Sequence, residues 1–361
     1  MSRRQKRYEN RQLKREQHRV ERAENVGSLE DIFTFHDMIH YGRECCKGVR
    51  WKQSVQNFER HLFSGSAARL KQLLEEKYKW HKCTRFTLRE RGKIRTIDAP
   101  HIHDRQIQKI LTQKVLLECY KALMIYNNGA SLKGKGLSFS QKQLKKDLSY
   151  HFRKYGMEGW VIVADFKGFF PNADHTYIKN THNYIKLDDK VCRLLNSIFD
   201  NFRSGLPLGV EVSQAEMIMY PSKLDNYMKC QMGLKGFGHY MDDYVILVPP
   251  NLDPNYVLEK FKLKAKENHL IINEHKTHIY EFGQPFRFCK TKYIVTKTGR
   301  IITHGGKDAI YRALRKMKKL KGKVSMNDIL AIVNACDNYY RRSNDNGRLL
   351  KLWNTFYQLF A

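Results

Sequence analysis

Three aspartates stand where apolar segments of the chain end or begin. Asp165 closes the run WVIVAD, and the pair Asp242 and Asp243 separates Tyr240-Met241 from the run YVILV. Buried carboxylates are costly unless they are paired or bound to a metal, and neighbouring carboxylates repel each other. Oxygen ligands favour Mg²⁺, with Mn²⁺ as an alternative ion. An isolated Asp-Asp pair is usually a solvated turn, but this pair lies in too apolar a setting for that interpretation.

The charge of the chain indicates what these carboxylates act on. The 361 residues include 66 Lys and Arg against 36 Asp and Glu, which gives a formal net charge of +30. Such an excess opposes folding by self-repulsion unless a polyanion neutralises it, so nucleic acid is the expected partner. Carboxylates that hold two metal ions about 3.5–4 Å apart are typical of phosphoryl transfer.

Two buried strands are predicted to deliver the aspartates. WVIVAD is a short continuous apolar run that ends in an acid, and YVILV is a β-branched run stopped by Pro249 and Pro250. Residues 240–243 then form a tight turn between two strands. Residues 82–97 alternate apolar and basic residues about Glu90-Arg91-Gly92, which predicts a hairpin with one buried face and one cationic face.

Most of the remaining chain has helical spacing. Residues 1–25 are dense in charge, which predicts either a flexible tail or a basic helix that contacts RNA. Helical patterns follow in residues 29–78, from Asp104, around 176–203, in 255–268, and in two or three helices after Lys307.

Several classes of site and location are disfavoured. The eight cysteines are scattered without a C-x-x-C pair, so we expect reduced and mostly buried thiols. His101, His103 and Asp104 lie close together, a pattern that is more often a polar loop than a metal site. No run reaches about eighteen apolar residues, and MSRRQKRYEN lacks the apolar segment of a signal peptide. We therefore expect a cytoplasmic protein that has no membrane partner.

Taken in order, the motifs resemble those of reverse transcriptases. YMDD follows an apolar strand with D-x-x-x-x-F and the motif G-x-P-x-G-x-x-x-S-Q at residues 205–214. RGKIRTIDAPHIHDRQIQKIL resembles the fingers segment, and NNGASLKGKG resembles the segment that follows it in bacterial enzymes. INEHKT resembles a later palm turn with a lysine, and RFCKTKY resembles the primer-grip hairpin. The resemblance covers residues 45–300.

This resemblance implies an α+β fold, a right-hand polymerase with a ferredoxin-like palm, fingers and a short helical thumb. A basic N-terminal arm would take residues 1–28, and the fingers with the start of the palm 29–158. The palm with YMDD and the hairpin would take 159–304, and the thumb 305–361. The lysines of the thumb would contact product phosphates, and its aromatic residues would form its core.

The resemblance also implies roles around the metal ions. Asp165 and Asp242 would bind both catalytic ions, with Asp243 in the same site and the carbonyl of Phe166 assisting. Lys276 would protonate or neutralise the pyrophosphate.

A second set of residues would bind the incoming nucleotide. Lys93 and Arg95 would hold its triphosphate. Phe170 would lie beneath the sugar and clash with a 2′-hydroxyl, which selects deoxynucleotides, although the adjacent Phe169 could be the exposed ring and Phe170 the core one.

The motif at residues 205–214 would line the same nucleotide. Gly209 would let the backbone pass close to the nascent base pair, and Ser213 and Gln214 would open a helix with Ser213 as its N-cap. Leu208 replaces a glutamine that is common in the family, and this predicts modest fidelity.

The implied function is RNA-directed DNA polymerisation, in which dNTPs extend a primer on an RNA template. L-G-x-x-x-S-Q resembles the enzymes of diversity-generating retroelements and of unclassified or anti-phage bacterial relatives. No segment after the palm resembles an RNase H, endonuclease or maturase domain, so we expect a structured non-coding RNA and either an accessory protein or an oligomer. The alternatives are a template-independent or RNA-synthesising nucleotidyltransferase, and a catalytically silent RNA-binding protein with a palm fold.

Overall fold

The computed structural model describes residues 3–90, 92–200 and 202–360. Arg91, in the predicted turn of the basic hairpin, lies outside the described residues. The helices are α1 (Arg3–Val26), α2 (Leu29–Ile32), α3 (Phe35–Cys46), α4 (Gln53–Arg60), α5 (Leu62–Leu74), α6 (Ile102–Ile110), α7 (Leu117–Tyr120), α8 (Leu137–Tyr155), α9 (His175–Ile185), α10 (Asp189–Phe199), α11 (Glu211–Met219), α12 (Ser222–Asn226), α13 (Pro254–Glu267), α14 (Lys307–Leu320), α15 (Met326–Tyr340) and α16 (Asn346–Phe360). The strands are β1 (Thr84–Glu90), β2 (Lys93–Ala99), β3 (Trp160–Asp165), β4 (Phe237–Tyr240), β5 (Asp243–Val248), β6 (His278–Glu281), β7 (Phe286–Phe288), β8 (Thr291–Val295) and β9 (Ile301–His304).

The chain forms two units, each continuous in space but not in sequence. Unit 1 comprises Met1–Lys133, Phe166–Gly233 and Phe261–Ile272, and unit 2 comprises Gly134–Asp165, Leu234–Lys260 and Asn273–Ala361. Helix α13 belongs in part to each unit. The predicted boundaries after residues 28, 158 and 304 stay predictions.

Unit 2 is built on an antiparallel sheet of four strands. The strands lie in the order β4-β5-β3-β6, and along the chain helices separate β3 from β4 and β5 from β6. This is the order of the ferredoxin-like βαββαβ fold. The predicted α+β fold with a ferredoxin-like palm is therefore confirmed. Strand β5 is buried from Tyr244 to Val248, which explains why YVILV is continuously apolar instead of alternating.

Helix α8 covers one face of this sheet. Leu144 and Leu148 of α8 lie in one core with Val161 of β3 and with Val245 and Leu247 of β5. Because side chains alternate along a strand, Asp165 and Asp243 lie on the same face as these valines, at the end where the helix-covered core gives way to polar residues.

A second sheet and three helices complete unit 2. Strands β7, β8 and β9 form an antiparallel meander, in which β7 and β8 are the hairpin predicted for RFCKTKY. Helices α14, α15 and α16 form a separate core in which Met317, Val333 and Leu352 are fully buried. Of the aromatic residues expected there, Tyr340 is fully buried and Tyr357 is 57% exposed.

Unit 1 contains the remaining helices and the ribbon of β1 and β2. The ribbon contradicts the prediction of a buried face, because residues 84–89 and 92–96 are all exposed. Phe86 is 46% exposed and Ile94 is 67% exposed. The alternation of apolar residues in this segment therefore belongs to an exposed ribbon. The sequence pattern alone does not distinguish such a ribbon from a half-buried hairpin.

Helix α1 is not a loose arm over its second half. Arg19 is only 3% exposed, its guanidinium lies 3.8 Å from the ring centroid of Tyr184, and Arg22 donates a hydrogen bond to the carbonyl of Glu118. The interpretation as a flexible tail is therefore wrong for this half. Lys6 and Arg7, in the first half, are exposed.

The helix predicted around residues 176–203 is two helices. Lys186 adopts a left-handed conformation with φ of 63° and ends α9, and the carboxylate of Asp188 accepts hydrogen bonds from the N–H groups of Lys190 and Val191 to cap α10. Among the described residues, no helix combines the length and the apolar character needed to cross a membrane.

Candidate active site

The first two aspartates are paired across the palm sheet. Asp165, at the end of β3, lies directly opposite Asp243, at the start of β5. Directly opposed residues of an antiparallel pair have Cβ atoms about 4.5–5.5 Å apart on one face of the sheet. The register therefore brings the two carboxylates together, as the sequence predicts.

The third aspartate lies in the turn between β4 and β5. Tyr240 pairs with Asp243, so Met241 and Asp242 form a two-residue hairpin turn. Such turns require a positive φ at their first central residue and usually place glycine there. Met241 has φ of 55°, and its carbonyl accepts a hydrogen bond of 3.1 Å from Nδ1 of His239. A non-glycine residue in this conformation stores about 1–2 kcal/mol of strain, a feature typical of functional sites.

Two polar side chains from the segment before β6 hold Asp165. Nζ of Lys276 donates to both carboxylate oxygens of Asp165, at 2.9 and 2.7 Å, and Nδ2 of Asn273 donates to one of them at 2.8 Å. Asp165 itself is 5% exposed. Although partial burial opposes it, the hydrogen bond and the negative charge of Asp165 raise the pKa of Lys276. The lysine therefore stays protonated at neutral pH.

The three carboxylates of this site repel one another. Burial, together with the charges of Asp242 and Asp165, raises the pKa of Asp243 to about 6, although Lys276 and Lys290 oppose the shift. Three oxygen-donor groups that repel one another fit a hard divalent cation such as Mg²⁺ or Mn²⁺. The residues present therefore suit the metal that the motif implies.

The predicted triphosphate ligands lie on the exposed ribbon of unit 1. Lys93 and Arg95 are two residues apart on β2, so both side chains lie on the same face of the ribbon. Arg95 lies directly opposite Leu88 of β1. Both basic side chains are exposed to solvent, as phosphate contacts require.

The structure resolves the choice between the adjacent phenylalanines. Phe169 is 6% exposed and lies 5.9 Å from the ring of Phe166, which in turn stacks on Phe261 at 5.8 Å. Phe170 is half-buried and meets Phe169 edge-on. Phe169 is thus the core residue, and Phe170 has the partly accessible ring that a sugar contact needs. The role of the Phe166 carbonyl stays a prediction.

The glycine of the predicted nucleotide loop packs against β2. The carbonyl of Leu208 accepts a 2.8 Å hydrogen bond from the N–H of Asp98. Gly209 has φ of 107°, and a Cβ there would lie 2.8 Å from the carbonyl oxygen of Asp98 and 2.9 Å from a methyl group of Ile97. Glycine is therefore required for the approach of this loop to β2, whereas the prediction concerned an approach to the nascent base pair.

One prediction for this loop is wrong. Ser213 does not cap α11, which begins at Glu211 after Val210 and has no side-chain cap. Ser213 is instead fully buried within the first turn of the helix. Gln214 is exposed, and its amide donates a 2.5 Å hydrogen bond to the hydroxyl of Ser131.

The eleven predicted site residues are divided between the two units. Asp165, Asp242, Asp243 and Lys276 lie together in unit 2. The other seven belong to unit 1: Lys93, Arg95, Phe166, Phe170, Leu208, Gly209 and Gln214.

Sequence analysis missed three participants. Asn273 orients Asp165, Lys290 lowers the pKa of Asp243, and Met241 carries the strained turn. Asn273 lies in INEHKT and Lys290 lies in RFCKTKY, two motifs of the family resemblance. Their place in these motifs was the sequence signal that could have identified them.

Comparison with known proteins identifies the class. Residues 78–307, more than half of the chain, match the model of the family described as reverse transcriptase (RNA-dependent DNA polymerase). The chain therefore belongs to the reverse transcriptase family, which confirms the resemblance seen in its motifs. No curated protein is similar enough in sequence to count as a match.

Solved structures share the fold at low sequence identity. A structure of telomerase from Candida albicans, in complex with a TWJ fragment of telomeric RNA, has a TM-score of 0.51 and 10% sequence identity to this chain. The similarity covers 79% of this chain and 57% of that chain, so this protein spans little more than half the length of the telomerase. At this identity the likeness concerns the fold alone.

Proposed function

We propose that this protein is an RNA-directed DNA polymerase, which uses dNTPs to extend a primer on an RNA template. The observation that carries the proposal is the cluster in unit 2, where Asp165 and Asp243 face each other across two strands beside Asp242. Membership of the reverse transcriptase family supports the same activity. A catalytically silent palm would have no use for the strained turn and the mutual repulsion of three carboxylates.

In this proposal Asp165, Asp242 and Asp243 hold Mg²⁺ or Mn²⁺, with help from the carbonyl of Phe166. The bound ions would activate the primer hydroxyl and neutralise charge on the leaving pyrophosphate. Asn273 orients Asp165 through its amide N–H. Outer hydrogen bonds of this kind fix the direction in which a ligating oxygen points.

Lys276 supplies a mobile positive charge. Its side chain is 51% exposed, so Nζ can leave Asp165 when a cation replaces it and reach toward a phosphate oxygen. Because its pKa is raised, Lys276 carries the proton that a pyrophosphate leaving group accepts.

The sugar and the triphosphate are assigned to unit 1. The half-buried ring of Phe170 would lie under the sugar and exclude a 2′-hydroxyl, which favours dNTPs. Lys93 and Arg95 would bind the triphosphate from the ribbon, and Leu208, Gly209 and Gln214 would border the base. Leu208 cannot donate or accept a side-chain hydrogen bond, which supports the proposal of modest fidelity.

A structured RNA is the proposed partner. Unit 2 has a groove of about 1060 Å³ along α8, lined by seven basic residues: Lys142, Lys145, Lys146, Arg153, Lys235, Arg341 and Arg342. The net charge of +30 leaves many more cations than one template-primer duplex needs. Together with L-G-x-x-x-S-Q, this supports a dedicated non-coding RNA in a bacterial or phage retroelement or an anti-phage system. An accessory protein or self-association belongs to the same proposal.

Primer extension tests the polymerase proposal directly. Purified protein would be given an RNA or DNA template with a labelled primer, and either dNTPs or rNTPs, with Mg²⁺ or Mn²⁺. We expect extension on the RNA template with dNTPs, and we expect Asp242→Asn to lower the rate by at least 10²-fold, because removing a preorganised charge typically has that effect. Glu259→Gln, an exposed acid on α13, is the matched control.

Reactions without a template, and reactions with rNTPs in place of dNTPs, separate the alternative functions. Extension without a template would indicate template-independent addition, and a preference for rNTPs would indicate RNA synthesis. Equal activity of Asp242→Asn and the control would remove the aspartate cluster from the mechanism and leave an RNA-binding protein as the better interpretation.

A further inference from the structure

Three histidines meet at the base of the β1–β2 ribbon. His81 precedes β1, and His101 and His103 follow β2, yet one ring nitrogen of each histidine lies within 4.8 Å of those of the other two. The rings of His81 and His101 stack with centroids 4.4 Å apart, and His103 meets His101 edge-on at the same distance. The sequence predicted a polar loop for His101, His103 and Asp104, since such a cluster is more often a loop than a metal site. The third imidazole lies twenty residues upstream and is brought in only by the pairing of the ribbon.

A buried carboxylate orients one of these rings. Asp104 is 1% exposed, and its Oδ1 lies 2.8 Å from Nδ1 of His81. Its other oxygen accepts from the N–H of His81, and the hydroxyl of Tyr78 donates to Oδ1 at 2.6 Å. A carboxylate that accepts from one ring nitrogen leaves the lone pair on the other nitrogen, the arrangement found behind metal-binding histidines.

The surroundings of the other two rings favour the neutral imidazole. Burial lowers the pKa of His103 to about 4, with a contribution from the positive charge of Arg69, and burial also lowers the pKa of His101. Neutral imidazoles do not repel one another and keep a lone pair. The Arg69 guanidinium donates to Gln106 at 2.8 Å, and the negative charge of Asp104 opposes the effect of Arg69 on the pKa of His101.

We propose that His81, His101 and His103 form a binding site for a zinc-class divalent ion, Zn²⁺ in the first place. Imidazole nitrogen suits Zn²⁺, and three protein ligands with one open position are an established zinc geometry. Tetrahedral bonds of about 2.0–2.1 Å place ligand nitrogens about 3.4 Å apart. The rings therefore need to close by about 1.5 Å at most, and the 43% exposure of the His81 side chain leaves room for this movement.

The ion would clamp the two ends of the ribbon together. His81 lies three residues before β1 and His101 lies two residues after β2, so both chain entries are tied at one point. Residues 84–89 and 92–96 of the ribbon are exposed, whereas Asp98, near its base, donates its N–H to the carbonyl of Leu208 in unit 1. A clamp here would limit the motion of Lys93 and Arg95. The metal site itself does not depend on the proposed polymerase activity.

Metal titration of the untagged full-length protein tests the proposal. Protein stripped with a chelator would be titrated with Zn²⁺ against a chromophoric competitor, and with Co²⁺ to follow the visible absorption of a four-coordinate site. We expect one equivalent per chain and a rise of the thermal midpoint with Zn²⁺, because an ion that binds only the folded state stabilises it. Asp242→Asn should retain this binding, which separates it from any ion at the aspartate cluster.

Substitution of a proposed metal ligand provides the second test of the site. Nδ1 of His101 accepts a 3.4 Å hydrogen bond from the backbone N–H of His103, so metal binding would exchange this hydrogen bond for a bond to the ion. His101→Asn keeps a capping acceptor while it removes the imidazole. We expect His101→Asn and His81→Gln to weaken Zn²⁺ binding at least 10-fold, and His18→Gln, an exposed histidine of α1, to leave it unchanged. Absence of one-equivalent binding to the wild type, or equal binding by His81→Gln and His18→Gln, would overturn the proposal.

Discussion

At the scale of single residues, Asp243 shows how the proposed metal site opposes stability. Its pKa is raised to about 6, above that of an unfolded aspartate, so the folded metal-free protein binds this proton more tightly than the unfolded chain does. The stability that this group contributes is fully present below about pH 4 and is lost as the pH rises through about 6. At neutral pH the ionised group therefore destabilises the metal-free fold.

We predict that Asp243→Asn stabilises the metal-free protein. The expected gain near neutral pH is about 1–3 kcal/mol, since a shift of one pKa unit corresponds to about 1.4 kcal/mol. The gain should vanish below about pH 4, where the wild-type carboxyl is protonated. Urea unfolding at both pH values measures it, with Glu259→Gln as the control. An equal gain at both pH values would show that repulsion is not the cause.

The two adjacent phenylalanines should respond differently to truncation. Phe170→Ala should raise the ratio of rNTP to dNTP incorporation by at least 10-fold, because it removes the ring that would meet a 2′-hydroxyl, while stability changes little. Phe169→Ala should destabilise the fold by about 3–5 kcal/mol, because this ring is buried against Phe166. Single-nucleotide incorporation kinetics and urea unfolding separate the two effects. Unchanged sugar selection in Phe170→Ala would contradict the assignment.

Base selection should depend on Leu208. Its hydrogen bond to Asp98 is made by the backbone, so Leu208→Gln should leave the loop in place. The new amide would restore a hydrogen-bonding group beside the nucleotide, and we expect fewer misincorporations per nucleotide copied. Sequencing of the products from both proteins measures the error rate. If the wild-type error rate equals that of a retroviral enzyme and the substitution leaves it unchanged, the idea fails.

At the scale of elements, the sequence was informative where burial fixes the pattern. WVIVAD and YVILV are buried on both faces, so their apolar runs identified strands and placed Asp165 and Asp243 at the correct ends. The prediction of a buried face for the ribbon was wrong because its alternation of apolar and basic residues does not reflect burial. The division between α9 and α10 depends on the left-handed Lys186 and on the cap at Asp188, which are local backbone choices that a helical period does not reveal.

The basic groove along α8 makes an element-scale prediction. Lys142 and Arg153 are exposed on α8 and line the groove. Lys142→Glu with Arg153→Glu should weaken RNA binding and reduce the slope of log affinity against log salt by about one unit for each lost phosphate contact. Arg60→Glu with Lys266→Glu, two exposed cations of unit 1, gives the same change in net charge. Filter binding over a series of salt concentrations measures the RNA affinity and its salt slope. An equal loss of RNA affinity in both double variants would assign the effect to net charge alone.

At the scale of the whole molecule, α1 sets the limits of a useful truncation. The second half of α1 is packed through Arg19 and Arg22, so deletion to residue 25 would remove structural contacts as well as charge. We therefore predict that deletion of residues 2–14 weakens binding of a structured RNA, with a smaller salt slope, and leaves extension of a generic primer-template unchanged. Equal RNA affinity of the truncated and full-length proteins would argue against an RNA-binding role for this helix.

The net charge predicted a polyanionic partner. The order of the motifs predicted the family and the four residues Asp165, Asp242, Asp243 and Lys276. Charge and motif order could not predict long-range proximity that depends on tertiary packing. The contact of Gly209 with Asp98 and the meeting of His81 with His101 join segments that share no motif. Composition likewise gave the size of the positive excess but not the groove along α8, because the groove also requires Arg341 and Arg342.

The direct pairing of Asp165 with Asp243 restricts how the gene for this protein can change length. Insertion or deletion of one codon within β3 or β5 would turn every following side chain to the opposite face of the sheet and separate the two carboxylates. Changes of two residues preserve the face but displace one acid along the strand by about 7 Å. Length variation among active relatives should therefore be confined to the connections outside these two strands.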